Sequence, residues 1–154
     1  MKRILFICSG NMYRSAGAEF ILRRKISDAG IDGWTVDSAG TLELGHAARP
    51  EDFGRILAEH GYKFGGVTRY VYDADAATAD LILAMEPQHL YVVRGIVPEA
   101  EWNKIHLFME YCFGSQAVLT DPSLFFNEDL YRETRDTLER GCDIIIDRIR
   151  NGKL

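Results

Sequence analysis

Strand-like and helix-like segments alternate along this chain of 154 residues, and their order restricts the possible folds more than any other feature. Short apolar runs predict strands near 2–7, 34–38, 80–85 and 104–107. Helical spacing of apolar residues predicts helices near 14–28, 50–60, 87–94 and 127–150. Such alternation is typical of an α/β fold with a parallel sheet. The length fits a single domain over residues 1–154.

A cysteine and an arginine enclose the turn between the first predicted strand and the first predicted helix. Cys8 directly follows the apolar run 4–7, and Arg14 opens the helical pattern. The five residues between them, here called the 9–13 loop, are Ser9, Gly10, Asn11, Met12 and Tyr13. A loop that leads into a helix N-terminus directs backbone N–H groups at its ligand, so this site favours an oxyanion.

The residue types in this loop suit nucleophilic attack on phosphorus. A thiol at a helix N-terminus beside a cation loses its proton more readily, so we expect Cys8 to be a thiolate at neutral pH. The planar guanidinium of Arg14 matches two oxygens of a phosphoryl group. Gly10 allows close approach of the backbone, and Asn11 tolerates the left-handed conformation that a tight turn requires. The Ser15 hydroxyl can donate to the thiolate and help the sulfur to leave.

Segment 8–15 and four later segments resemble the low-molecular-weight protein phosphatase family. The signature of that family is a strand, then Cys-x5-Arg-Ser, then a helix, and segment 8–15 contains Cys8, Arg14 and Ser15 at this spacing. The similar segments are 36–41, 79–86, 104–107 and 120–122. The resemblance covers essentially the whole chain. It implies a three-layer fold, with an open sheet of four parallel strands and helices on both faces. It also implies a protein-tyrosine phosphatase that needs no metal and no other cofactor.

The resemblance further assigns roles to residues outside the 9–13 loop. It implies that Asp121 protonates the leaving oxygen and later activates water, although Asp-Pro is also a common turn pair. It implies that Ser38 donates or accepts a hydrogen bond with Asn11, although serine is also common at strand ends. The expected partners are a phosphorylated protein, with a tyrosine kinase as one candidate, and inorganic phosphate or other oxyanions.

The residues expected around the cleft leave its substrate open. Phosphotyrosine enzymes of this family line the cleft with aromatic side chains, but the matching segments here are Leu-Glu-Leu at 42–44 and Ser-Leu at 123–124. Tyr13, Phe125 or Phe126 could replace them, although for Phe125 and Phe126 burial in the core is the favoured interpretation.

Two alternatives remain within the same fold. Segment 110–136 is similar to the protein-arginine phosphatase branch, in which a small threonine occupies the place of Met12 and makes room for the guanidinium. The longer Met12 favours an aryl ester, so phosphotyrosine is our first choice. A weakly active or non-catalytic phosphate-binding module is a further alternative, but such a module would need neither the thiolate of Cys8 nor the acid Asp121.

Composition and charge exclude several other classes. The net charge is −5 and the only cluster of cations is 23–25, which argues against nucleic-acid binding. Three cysteines without a close pair indicate reduced thiols, and we expect Cys112 and Cys142 in the core. Arsenate reduction needs extra cysteines that pass a disulfide away from the nucleophile, and the wide separation of Cys112 and Cys142 in the sequence argues against that activity. The N-terminal apolar run is too short for a signal sequence, so we expect a cytoplasmic protein.

Arg69 and Asp75 lie in the segment between the second predicted helix and the third predicted strand. They are expected to pair with each other.

Overall fold

Four parallel strands form the centre of the molecule. The computed structural model describes residues 1–154. Its strands are β1 (Lys2–Cys8), β2 (Trp34–Gly40), β3 (Leu81–Ala84) and β4 (Ile105–Leu107). They lie in the order β2-β1-β3-β4, and each neighbouring pair is parallel. All four predicted strands are therefore confirmed, with small shifts at their ends.

Five α-helices connect and follow the strands. They are α1 (Arg14–Asp28), α2 (Glu51–Ala58), α3 (Pro87–Arg94), α4 (Phe108–Phe113) and α5 (Glu128–Arg150). The sequence did not predict α4, because six residues directly after a strand are too few to show a helical period. None of the helices combines the length and the apolar character that crossing a bilayer requires.

Both faces of the sheet are covered, as shown by the side chains of β1. Ile4, Phe6 and Cys8 point to one face and join the core formed with α1 and α5. Leu5 and Ile7 point to the other face and join a smaller core that includes residues of α3. A strand that is buried on both faces reads as a continuous apolar run, which explains why β1 was easy to predict. The expected three-layer architecture is confirmed.

The strand order places the end of β1 where ligands of open sheets bind. The chain passes from β1 to β2 on one side, and later returns to β3 on the other side of β1. At such a switch point the two connections diverge and leave a crevice outside the carboxyl ends of the strands. Cys8 is the last residue of β1 and therefore lies at this crevice.

The long helix α5 contributes buried side chains to the same core as β1 and β3. Leu138, Cys142 and Ile145 in this helix are fully buried. Cys112 in α4 is also buried, so both cysteines expected in the core are there, as free thiols. Burial raises the pKa of the Cys112 thiol to about 12, because the thiolate would lose its hydration.

The expected pair of Arg69 and Asp75 does not form. The guanidinium of Arg69 instead lies 3.4 Å from a carboxylate oxygen of Asp37. Asp75 has a left-handed backbone, and its carbonyl oxygen accepts a hydrogen bond from Arg3. Nearness in sequence misled the prediction, because Arg69 faces β2 whereas Asp75 faces the start of β1.

We expect Gly141→Ala to destabilise the protein by about 2 kcal/mol or more, since overpacking of a rigid core outweighs the better helix propensity of alanine. A Cβ on Gly141 would lie inside contact distance of the fully buried Phe108 ring. Gly54→Ala in α2 is the matched control, because its Cβ would lie 3.5 Å from the nearest atom. Urea unfolding measures both changes; equal stability of the two variants would contradict the expectation.

Candidate active site

A small cleft of about 60 Å³ opens at the carboxyl end of β1. Its lining residues are Cys8, Gly10, Met12, Tyr13, Arg14, Asp121 and Ser123. The cysteine, arginine and aspartate singled out in the sequence thus surround one space, although Asp121 is more than one hundred residues away along the chain. The side chains of Ser9 and Asn11 do not line the cleft, because each makes hydrogen bonds beside or beneath the loop.

The sulfur of Cys8 is surrounded by hydrogen-bond donors. The backbone N–H of Asn11 donates to Sγ at 3.2 Å, and the Ser15 hydroxyl lies 2.9 Å from it. Cys8 is 3 % exposed, so little water competes for these donors. The sulfur therefore lies at the cleft with the polar groups of Asn11 and Ser15 directed at it.

The backbone carbonyls at the start of the 9–13 loop point away from the cleft. The carbonyl of Cys8 accepts from the N–H of Thr41 at 3.0 Å, and that of Ser9 accepts from the N–H of Leu42 at 3.0 Å. Both donors follow directly after β2. Since a trans peptide directs its N–H opposite to its carbonyl, the N–H groups of Ser9 and Gly10 lie on the side of the cleft.

Asn11 is the residue that gives the loop its sharp curvature. Its φ of 57° lies in the left-handed region, as the sequence predicts for an asparagine in so tight a turn. Its side-chain amide donates to the Ser15 hydroxyl at 2.9 Å and to the Ser38 hydroxyl at 2.8 Å. Its side-chain oxygen accepts from the N–H of Arg69 at 2.8 Å. The expected contact between Ser38 and Asn11 is thus present within a fully used amide group.

The guanidinium of Arg14 is held in place by residues from two distant segments. Nη1 donates to the carbonyl of Leu119 at 2.9 Å and lies 2.8 Å from a carboxylate oxygen of Glu86. Nη2 lies 3.5 Å from a carboxylate oxygen of Asp121. The Arg14 side chain is 1 % exposed, so these partners leave it little freedom. Sequence reasoning missed Glu86, although its position directly after β3 places it at the edge where ligands bind.

The carboxylate of Asp121 is oriented by its own turn. One of its oxygens accepts from the N–H of Ser123 at 3.0 Å and from the Ser123 hydroxyl at 2.7 Å. The other oxygen lies toward Arg14. The side chain is 25 % exposed, so this carboxylate reaches both the cleft and solvent water. That placement suits a group that exchanges protons with a ligand and with water.

A buried histidine supports the loop from the side of α3, and the sequence did not indicate it. Nδ1 of His89 accepts from the N–H of Glu86 at 3.0 Å, so the ring proton lies on Nε2, which is 2.9 Å from the Ser9 hydroxyl oxygen. Burial lowers the pKa of His89 from 6.5 to about 4, and the Arg14 guanidinium acts in the same direction. His89 is therefore a neutral donor to Ser9 at physiological pH.

This buried histidine predicts a loss of stability in acid. Between pH 6.5 and about 4 the unfolded chain binds a proton at His89 that the folded protein does not bind, so folding weakens as the pH falls through this window. We expect up to about 3 kcal/mol from this group. Urea unfolding at a series of pH values should show a flatter acid limb for His89→Gln than for the unchanged protein. Parallel limbs would contradict the expectation.

Of the three aromatic side chains considered for the cleft wall, Tyr13 lines the cleft. The Tyr13 ring packs against Phe53, with centroids 5.2 Å apart, and against Tyr131 at 5.6 Å. This packing fixes Tyr13 at the wall of the cleft. The expected burial of Phe125 and Phe126 is wrong, because they are 56 % and 91 % exposed. They lie between a short turn and the start of α5, where no other element covers them.

Comparisons with known proteins agree with this geometry. A family model described as low molecular weight phosphotyrosine protein phosphatase matches residues 3–153. The chain belongs to this family. The human low molecular weight phosphotyrosine protein phosphatase is 32 % identical, over 86 % of this chain and 85 % of the human protein. The phosphatases of this family depend on a cysteine and need no metal.

Solved structures are similar over the full length of this phosphatase. A protein tyrosine phosphatase from Entamoeba histolytica superposes with a TM-score of 0.89 at 26 % identity, and each chain is covered completely. An arginine phosphatase from Geobacillus stearothermophilus superposes with a TM-score of 0.86 at 25 % identity, over 99 % of this chain and 96 % of that one. Both substrate classes considered from the sequence thus occur among proteins with this fold.

Proposed function

We propose that this phosphatase hydrolyses phosphotyrosine in proteins, with Cys8 as nucleophile, Arg14 as phosphate ligand and Asp121 as acid and base. The observation that carries the proposal is the convergence of these three residues on one cleft. A thiolate, a fixed cation and a carboxylate together supply every group that two-step transfer of a phosphoryl group requires.

Each step of the reaction has a residue in position. The Cys8 thiolate attacks phosphorus, the bond between phosphorus and the tyrosine oxygen breaks, and protonated Asp121 gives its proton to that oxygen. The Asp121 carboxylate then takes a proton from water, whose oxygen attacks phosphorus, and the bond from sulfur to phosphorus breaks. Inorganic phosphate leaves and Cys8 is again a thiolate. Arg14 and the N–H groups of the 9–13 loop carry the phosphoryl charge throughout.

The walls of the cleft favour an aryl ester. Met12 and Tyr13 line it, and Leu44 lies against the loop, so that a Cβ on Gly10 would be 3.5 Å from its Cδ1. Apolar walls of this kind suit the flat ring of phosphotyrosine better than the charged guanidinium of phosphoarginine. Phosphoarginine is the second candidate, because the chain is also similar to a solved arginine phosphatase, with a TM-score of 0.86.

The proposal also covers the domain, the ligands, the substrate and the location of the protein. Residues 1–154 act as one phosphatase domain. Inorganic phosphate and other oxyanions bind the 9–13 loop, with Ser9 and Asn11 shaping it and Ser15 and Ser38 supporting it. The physiological substrate is a phosphorylated protein, with a tyrosine kinase as the first one to examine, and the enzyme acts in the cytoplasm.

Hydrolysis of phosphotyrosine, phosphoarginine and phosphoserine peptides, compared side by side without added metal, tests the substrate. We expect phosphotyrosine to be preferred. We expect Met12→Thr to shift the ratio of kcat/KM toward phosphoarginine by about tenfold, since removing side-chain bulk from an apolar pocket changes discrimination by that order.

Asp129→Asn is a matched control for this assay, because Asp129 is 95 % exposed on α5 and does not line the cleft. We expect it to leave the ratio unchanged. A preference of the unchanged protein for phosphoarginine would contradict the proposed substrate. Absence of hydrolysis with all three peptides would instead favour a phosphate-binding module.

A further inference from the structure

A second buried arginine lies beneath the 9–13 loop. Arg49 directly precedes the Pro50 that leads into α2, and it is 9 % exposed. Its Nε donates to the backbone carbonyl of Asn11 at 3.1 Å, and its Nη2 donates to the side-chain oxygen of Asn11 at 2.8 Å. Its Nη1 donates to the carbonyl of Gly65 at 3.1 Å. Arg49 is outside the cleft and has no part in the reaction steps above.

These contacts bind both the backbone and the side chain of one strained residue. Asn11 is the left-handed residue of the loop, a conformation that costs free energy for any residue other than glycine. A guanidinium that donates to both oxygens of Asn11 fixes the peptide plane after Asn11 as well as its side chain. Because the carbonyl of Asn11 is held away from the cleft, the next N–H of the loop, that of Met12, is held on the opposite side of the same plane.

The surroundings of Arg49 keep this guanidinium in one orientation. Its Cζ lies 5.8 Å from the centre of the Phe20 ring, which covers one face. Gly66 has a φ of 77°, and a Cβ there would lie 3.4 Å from Nη1, so glycine leaves room for the side chain. A lysine could not donate to both oxygens of Asn11 and to the carbonyl of Gly65 together, because its donors share one nitrogen, whereas those of arginine are arranged as a fork.

The guanidinium also places positive charge under the anion site. Burial lowers the pKa of Arg49, whereas the Glu19 carboxylate and the Cys8 thiolate raise it. The nearby guanidinium groups of Arg23 and Arg69 also lower the pKa of Arg49. An arginine stays protonated at neutral pH even when it is buried. Its charge is therefore retained beneath the loop that receives the phosphate.

We propose that Arg49 is a positioning residue for catalysis, which locks Asn11 and so aims the N–H groups of the 9–13 loop at the phosphoryl group. This inference rests on the proposed function, since it assumes that the loop binds phosphate. It assigns to Arg49 an effect on oxyanion affinity and on turnover, in addition to any effect on folding.

Arg49→Met and Arg49→Lys test the proposal through two measurements. The first is the concentration of inorganic phosphate that protects Cys8 from alkylation by iodoacetamide, which requires no turnover. We expect Arg49→Met to weaken this protection by about tenfold, because one charge-assisted hydrogen bond contributes that factor. The second is steady-state hydrolysis of a phosphotyrosine peptide, where we expect kcat/KM to fall by about 10²-fold, as for other losses of preorganised geometry. Arg49→Lys keeps the charge and should restore part of both.

Arg24→Met is the matched control. Arg24 donates to the carbonyl of Gly61 at 2.8 Å, and Arg49 likewise donates to a backbone carbonyl after α2, that of Gly65. Arg24 makes no contact with the 9–13 loop. We expect it to leave phosphate protection and kcat/KM within twofold of the unchanged protein, the ordinary effect of a surface change.

Three outcomes would decide the matter. If Arg49→Met unfolds at lower urea but protects Cys8 and turns over as the unchanged protein does, Arg49 is only a stabilising residue and the proposal is overturned. If Arg49→Met does not fold, Arg49→Lys carries the test, and wild-type values for both measurements in that variant overturn it. Weaker phosphate protection in a protein that hydrolyses no phosphopeptide would support the role of Arg49 in anion binding and overturn the proposed activity alone.

Discussion

Cys8→Ser should lower kcat by roughly 10⁴-fold or more, the scale seen when the nucleophile of covalent catalysis is removed. The groups around Sγ explain why oxygen cannot replace sulfur. The Asn11 N–H donates to Sγ and the Ser15 hydroxyl lies 2.9 Å from it, but neither group is a base that could remove a proton. The nearby imidazole of His89 is engaged with Ser9. A serine at position 8 would therefore remain protonated and unreactive.

Steady-state hydrolysis of a phosphotyrosine peptide measures this effect, and binding of inorganic phosphate to Cys8→Ser by calorimetry shows that the site is intact. Cys112→Ala is the matched control, since it removes a buried thiol of α4 that does not line the cleft. It should lose stability but keep kcat. Turnover by Cys8→Ser near that of the unchanged protein would exclude covalent catalysis through sulfur.

The same assay applies to Asp121. We expect Asp121→Asn to lower kcat by about 10²–10⁴-fold, the usual contribution of a general acid or base.

Gly40→Ala should reduce kcat/KM by about 10²-fold or more, because misplacing a reacting group by about 1 Å already costs that much. Gly40 ends β2 directly behind the 9–13 loop. A Cβ there would lie 2.5 Å from the carbonyl oxygen of Ser9 and 3.0 Å from the backbone nitrogen of Asn11. Both are backbone atoms that cannot rotate away. The φ of Gly40 is not positive, so the requirement for glycine here is space and not conformation.

Hydrolysis of the phosphotyrosine peptide and phosphate protection of Cys8 should both be impaired in Gly40→Ala, since the substitution displaces the loop itself. Gly65→Ala serves as the control, because a Cβ at Gly65 would meet no atom within 4 Å. Circular dichroism and urea unfolding show whether each variant is folded. A folded Gly40→Ala with normal kcat/KM would mean that the loop shape is less restrictive than the structure indicates.

Local patterns were sufficient to predict most of the fold and the centre of the site. Helix α1 was predicted near 14–28 and spans Arg14–Asp28, because the loop before it and the spacing within it are local signals. The left-handed Asn11 also agrees with expectation, and the contact of Asn11 with Ser38 agrees with what the family resemblance implied. The proposed nucleophile and its arginine could be singled out because Cys-x5-Arg between a strand and a helix concentrates the necessary chemistry in one short segment.

Errors arose where a residue's surroundings come from distant parts of the chain. Phe125 and Phe126 have the composition of a core segment, yet no element covers them, so they are exposed. Arg69 was matched with a neighbour in sequence but pairs with Asp37 across the sheet. Hydrophobicity and proximity along the chain do not specify which elements become neighbours in the fold.

The chain order of apolar runs, the turn chemistry of the 9–13 loop and the presence of thiol, guanidinium and carboxylate are written in the sequence itself. The tertiary structure alone decided that Glu86 and the carbonyl of Leu119 hold Arg14, that Arg49 holds Asn11, and that Gly40 leaves room for the loop. Those partners are separated from the loop by tens of residues, and only the packing of parallel strands brings their ends to one edge. Residue types therefore reveal the chemistry, whereas its precise orientation depends on contacts that form when the sheet assembles.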